Sequence, residues 1–148
     1  MRISAKGQYA LAAIIEIAKH TQAGKLISAA DIATILGISK LSLEQTILLL
    51  KKGDVIVSIK GAKGGYKLAR EPQSISVFDI LMQVENSLIE KMDNTVLHQI
   101  PATESALQES VFKKLDHFIE RCLAGISLQQ LLNEEEQERN NQSFMINL

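Results

Sequence analysis

The sequence predicts a mainly helical fold with one small β-wing: two short helices joined by a glycine turn, a basic two-stranded hairpin, and a long amphipathic helix toward the C-terminus. Three observations predict it. Serines stand before apolar runs at Ser28, Ser39, Ser76 and Ser127, where a hydroxyl can accept an amide of the first helical turn. The apolar period shortens to two between Val55 and Lys60, as in a strand, and a glycine cluster follows. Between Leu107 and Leu123 the apolar residues fall on one broad stripe.

Taken in order, the first helix spans about Ala5 to His20. Its apolar residues, Tyr9, Leu11, Ala12, Ala13, Ile14, Ile15, Ile17 and Ala18, surround most of the axis. Such a helix buries one face in its own domain and keeps another for a second subunit. Gln22-Ala23-Gly24 ends it. Ser28 caps the second helix, with Asp31 placed to complete a capping box and Ile27 stapled to Ile32, and Leu36-Gly37 stops it. Ser39 caps the third, Lys40 to Lys52, with Ile38 and Leu43 as its staple. Two short helices across a glycine turn make a helix-turn-helix. The third helix buries Leu43, Ile47 and Leu50, and its first turns expose Ser39, Lys40, Ser42, Gln45 and Thr46.

From Val55 to Lys60, Val55, Val57 and Ile59 share one strand face and Ile56, Ser58 and Lys60 the other. Gly61-Ala62-Lys63-Gly64-Gly65 turns the chain into a second strand, Tyr66-Lys67-Leu68. Ser76, Asp79 and the Ile75–Ile80 staple open a helix that runs to about Glu85. Residues 86–102 have no clear period and read as a linker. The long helix covers about Glu104 to Ala124, and a short capped helix from Ser127 to Asn133 precedes a polar, frayed tail. The expected organisation is therefore 1–85 as a winged helix-turn-helix domain, 86–102 as linker, 103–133 as dimerisation helix and short final helix, and 134–148 as tail.

The net charge of −1 conceals a division. Up to Arg70 there are eleven bases against four acids, a net +7, which leaves −8 for the remainder. That asymmetry suits an N-terminal half that meets a polyanion and a C-terminal half with another task. The single cysteine, Cys122, precludes an intramolecular disulfide and any all-thiolate metal site. Because it falls on the long helix's stripe, it reads as packing rather than as a redox sensor. His20, His98 and His117 lie on separate segments, with no motif joining them to a nucleophile and carboxylate, so no enzyme is expected. The hairpin tip lacks the glycine spacing of a nucleotide-binding loop. Neither a signal peptide nor a membrane span is legible, which predicts a cytoplasmic protein.

The exposed start of the third helix is where a major-groove helix reaches base edges. Gln45 suits adenine, Lys40 guanine or phosphate, and Ser39 and Ser42 either. Lys60 and Lys63 flank a tip without bulky side chains that can approach phosphates or enter a minor groove.

At this point the chain resembles the Rrf-two family of bacterial winged-helix transcriptional regulators. The resemblance is carried by Arg2-Ile3-Ser4-Ala5-Lys6-Gly7-Gln8-Tyr9-Ala10-Leu11, Asp31-Ile32-Ala33, Leu43-Glu44-Gln45 and Ser58 through Leu68. It covers about Met1 to Glu85, and the helix after Pro101 corresponds to the family's dimerisation helix. It implies a homodimer on double-stranded DNA, acting as a repressor. The candidate DNA contacts are Arg2, Lys6, Ser28, Ser39, Lys40, Ser42, Gln45, Lys60, Lys63, Gly64 and Tyr66. The candidate dimer contacts are Leu107, Val111, Leu115, Phe118, Ile119 and Cys122. Ser42 stands where the family usually has tyrosine, Asp54 where it has glycine, and Lys60 and Lys63 where arginine is common. Cluster-binding members carry three closely spaced cysteines in the linker, whereas this chain has Met92 through Ile100 there, with His98 alone. No metal or cofactor is therefore expected. Two further readings are a winged helix that docks a protein partner through its C-terminal half, and a sensor with a small-molecule pocket in the linker and dimer helix.

Overall fold

The computed structural model describes residues 3–88 and 99–147; Arg2, His98 and the rest of linker segment 89–98 lie outside them. Helix α1 is Ala5–Gln22, α2 Ala29–Leu36 and α3 Lys40–Lys52; strands β1 (Ile56–Ile59) and β2 (Gly65–Leu68) follow, then α4 (Val77–Val84). The C-terminal helices are α5 (Pro101–Leu107), α6 (Lys113–Ala124) and α7 (Leu128–Ile146).

Local chemistry accounts for most boundaries. Ser28, Ser39, Ser76 and Ser127 each accept the amide of the residue three positions on, as their spacing predicts. The reciprocal box forms at Ser76 and Asp79. At α2, Asp31 instead takes the Ser28 hydroxyl at 2.7 Å, a bond between side chains in place of the expected one to the cap's amide. Gly37, at φ 65°, supplies the left-handed turn that ends α2. The axes of α2 and α3 then turn through 117°, within the range of a helix-turn-helix.

The β1–β2 hairpin is antiparallel, pairing Ile56 with Leu68 and Ile59 with Gly65. Ile56 and Leu68 are its inward residues, while Val57 and Ile59 face outward. Strand alternation is thus present, with the core on the Ile56 side. The core gathers Ile14 and Ile17 of α1, Ile32 of α2, Leu43, Ile47 and Leu50 of α3, and Ile80 and Leu81 of α4. Contrary to its expected exposure, Thr46 belongs to this interior, its hydroxyl donating to the Ser42 carbonyl at 3.1 Å.

Beyond α4 the structure departs further from the sequence reading. Pro101 opens α5 rather than closing the linker, because the first helical position needs no amide hydrogen. A π-turn over Gln108–Phe112 joins α5 to α6, making one helical run from Pro101 to Ala124. Helix α7 extends 19 residues, through the acidic run that suggested a frayed tail. Its first turns are threaded into the core: Leu128 and Leu132 are buried, and backbone bonds join Leu128 to Ile75 and Val77 to Ile126. Lys19 of α1 meets Glu135 at 3.3 Å and Glu16 at 3.0 Å. Burial opposes its charge, but the hydrogen bonds and attraction of these carboxylates outweigh that and hold the ammonium above its ordinary range. The lysine therefore keeps its charge through neutral pH and gives it up only in alkali, where its contribution to the tie is lost.

Candidate nucleic-acid interface

The wing is fastened beside α2 by a backbone bridge. Tyr66 donates its amide to the Ile27 carbonyl at 2.8 Å, and Ile27 donates to the Tyr66 carbonyl at 3.4 Å. Gly65 permits this approach, since a β-carbon there would lie 2.7 Å from the Ile27 oxygen. Gly64 is equally confined, because a β-carbon there would meet the Ile59 carbonyl oxygen at 2.2 Å. Residue 27 immediately precedes the α2 cap, so the bridge sets the hairpin next to the amino end of α2.

A cleft of about 440 Å³ results, lined by Ser28, Ala29 and Ala30 of the α2 start, Lys40 and Glu44 of α3, and Ser58 to Gly61 and Gly64 to Tyr66 of the wing. Five candidate contacts, Ser28, Lys40, Lys60, Gly64 and Tyr66, thus converge from three segments distant in sequence. Ser39, Ser42 and Gln45 are exposed on α3 outside the cleft lining, with the Ser39 hydroxyl donating to that of Ser42 at 2.8 Å. Lys63 projects from the hairpin turn, also exposed. Lys6 stands apart on the first turn of α1.

Sequence reasoning missed two acids. Glu44 lines the cleft and lies 3.5 Å from Lys40, both side chains largely exposed. Its position four residues after Lys40 was the available signal. Glu85 is buried at the end of α4, where one carboxylate oxygen accepts the Ser4 hydroxyl at 2.6 Å and the Ser4 amide at 2.8 Å. Ser4 in turn caps α1, accepting the Gly7 amide at 3.1 Å. This clasp places an anion against the positive end of α1 and requires Gly7, whose added β-carbon would sit 2.1 Å from that carboxylate oxygen. No local pattern joins positions 4 and 85.

The candidate dimer residues are uncovered in the single chain. Phe118 is 70% exposed, Val111 and Leu115 are exposed, and Leu107 and Ile119 are half-buried. Cys122 is exposed too, outside the chain's own core and on the same helix as the other candidate dimer residues.

Two helices crossing at a steep angle, an exposed capped start to the second and a hairpin bridged alongside define a winged helix-turn-helix, the architecture of duplex-DNA readers. The profile of the Rrf2 family, described as an iron-dependent transcriptional regulator, matches residues 3–134. The HTH-type transcriptional regulator IscR of Aliivibrio salmonicida is 32% identical over 139 residues, spanning 92% of this chain and 80% of its own. Among solved structures, T. potens IscR superposes with a TM-score of 0.72 at 34% identity, covering 93% of this chain and 90% of that one. CymR (YrzC), the global cysteine regulator of B. subtilis, gives a TM-score of 0.71 at 28% identity, with 90% and 98% covered. The chain belongs to the Rrf2 family of transcriptional regulators.

The iron in the family's description implies a bound metal centre, and the chain's single cysteine does not fit an iron–sulfur cluster. Iron–sulfur clusters are held by several thiolates, and this chain has one cysteine, exposed on α6. Among the described residues no three His, Cys, Asp or Glu side chains converge as a ligand set. Nor, among them, is any single helix long and apolar enough to cross a membrane.

Proposed function

We propose that this regulator is a homodimeric repressor that works without an iron–sulfur cluster and occupies an operator of two half-sites in double-stranded DNA. In each half-site α3 enters the major groove with Gln45 and the serines at its start, while the wing presents Lys60 and Lys63 to the flanking backbone. Arg2, Lys6 and Lys40 supply further phosphate contacts, and Ser28 and Tyr66 hold the backbone where it crosses the cleft. The observation that carries this reading is the cleft, which draws Lys40 and Lys60 to the exposed amino ends of α2 and α3. Contact between two such helical runs, through Val111 of the π-turn and Leu115 and Phe118 of α6, covers the apolar surface and couples the half-sites.

Gel-shift titration on the DNA upstream of its own gene, repeated at rising salt, tests the proposal. Affinity is expected to fall steeply, and Lys63→Ala to reduce the log–log slope by about one. Salt-independent binding would contradict phosphate-led recognition. In the same preparation, purified anaerobically, iron well below stoichiometry and no visible absorption are expected.

A second reading, a small-molecule sensor, is favoured by one feature: an open groove of about 600 Å³ along the exposed face of α6, lined by Lys114, His117, Phe118, Arg121 and Cys122, which a ligand would occupy in place of the second α6. Its cations select anionic ligands. Thermal-shift screening of small carboxylates and phosphates tests it, and Lys114→Ala should abolish any hit.

A further inference from the structure

Helix α3 carries an outward apolar strip that the core does not use. Leu41 is 67% exposed and Leu48 53% exposed, whereas the buried face of the same helix is Leu43, Thr46, Ile47 and Leu50. Seven residues bring a helix back to within about 20° of the same direction, so the two leucines share one face. Gln45, four residues after Leu41, lies between them and is also exposed. Lys40 stands at one end of the helix and Lys51 and Lys52 at the other, all exposed.

This combination has a specific counterpart. Cations at both ends select a polyanion, and an amide between two leucines selects a surface that alternates hydrogen-bonding and apolar groups. In the major groove adenine offers the paired N6 and N7 sites that an amide bonds bidentately, and thymine alone among the bases projects a methyl group. From Leu41 to Leu48 the helix rises about 10 Å, close to three base-pair steps of about 3.4 Å.

We infer that Leu41 and Leu48 read the 5-methyl groups of thymines on either side of an adenine bonded by Gln45, so that each half-site has an A·T-rich centre. The inference rests on the DNA-binding reading above and adds the bases that are read and the side chains that distinguish them.

The test begins with selection of duplexes from a random-sequence library by the intact protein, which is expected to enrich A·T pairs at the half-site centres. Selected duplexes are then rebuilt with uracil replacing thymine at single positions, which removes the methyl and leaves base pairing unchanged. Affinity is expected to fall about fourfold for each contacted methyl, the value of one buried carbon group. Leu41→Ala should erase that penalty at one position per half-site and Leu48→Ala at another, each leaving the salt dependence intact. Gln45→Ala should keep both penalties while losing the adenine preference. Alanine favours a helix, and both leucines are exposed, so these variants keep the fold.

Equal binding of thymine and uracil duplexes by a protein that binds DNA tightly would overturn the inference alone. So would a uracil penalty that survives Leu41→Ala and Leu48→Ala. Unchanged affinity of both leucine variants for every duplex would overturn it as well, leaving the strip open to a protein partner. Failure to bind any duplex at low salt would overturn the DNA-binding reading and this inference together.

Discussion

Helices α3 and α6 both carry exposed apolar side chains, but in different company. On α3, Leu41 and Leu48 stand between lysines, and the opposite face of the helix is fully buried. Along α6 no residue is fully buried, and Leu115, Phe118 and the exposed Cys122 continue an apolar line from Val111 in the π-turn. Helix α3 is packed on one side within its own chain and keeps the opposite strip exposed beside its lysines, the face proposed to read DNA. Helix α6 has its largest side chains outside, as expected of a surface completed by another copy.

That contrast can be tested by substitution. Phe118→Asp should have the largest effect: monomers in light scattering at micromolar concentration, and operator affinity lowered by about a hundredfold or more as the two half-site contacts lose their linkage. The monomer's helical fold should persist by circular dichroism, because Phe118 is 70% exposed in the single chain and lies outside its core. A variant that remains dimeric would remove α6 from the interface. Leu128→Ala should do the reverse, costing about 2 to 5 kcal/mol in urea unfolding through the cavity it leaves, although it lies far from every DNA-contact candidate in sequence. A cost near zero would mean that α7 is only loosely docked.

The smallest expected effect is local to the reading half. Asp54, after α3, adopts φ 53°, a left-handed conformation that glycine takes without strain. Asp54→Gly should therefore stabilise the domain by roughly 0.5 to 1 kcal/mol and leave the oligomeric state untouched. Lowered stability would show that the aspartate repays its backbone strain through another contact.

What the sequence made legible was what short-range chemistry determines. Ser28, Ser39, Ser76 and Ser127 announce their helices because cap and partner are three residues apart. Ser4 caps α1 by the same spacing, accepting the Gly7 amide, but its carboxylate partner, Glu85, lies 81 residues away, and no local pattern announces it. The individual residues of the cleft were legible as exposed, polar or glycine positions. Their convergence was not, because it depends on the bridge between Ile27 and Tyr66 and on what Gly65 leaves out. Thr46 was placed on the surface by its polarity, yet it lies three residues from Leu43 on the buried side, and its hydroxyl is satisfied within the helix. Helix α7 was cut short at Asn133 because an acidic run resembles a disordered tail, while its tie to Lys19 spans 116 residues.

Leu128 and Leu132 also govern the order in which a newly made chain matures. The ribosome releases the helix-turn-helix and wing first, but their interior lacks two side chains until α7 has been synthesised. By then the whole of α5 and α6 has already emerged. A chain able to complete its N-terminal domain thus already carries the helix proposed to pair it. A chain arrested before residue 128 therefore leaves that interior incomplete, whether or not α6 has been made.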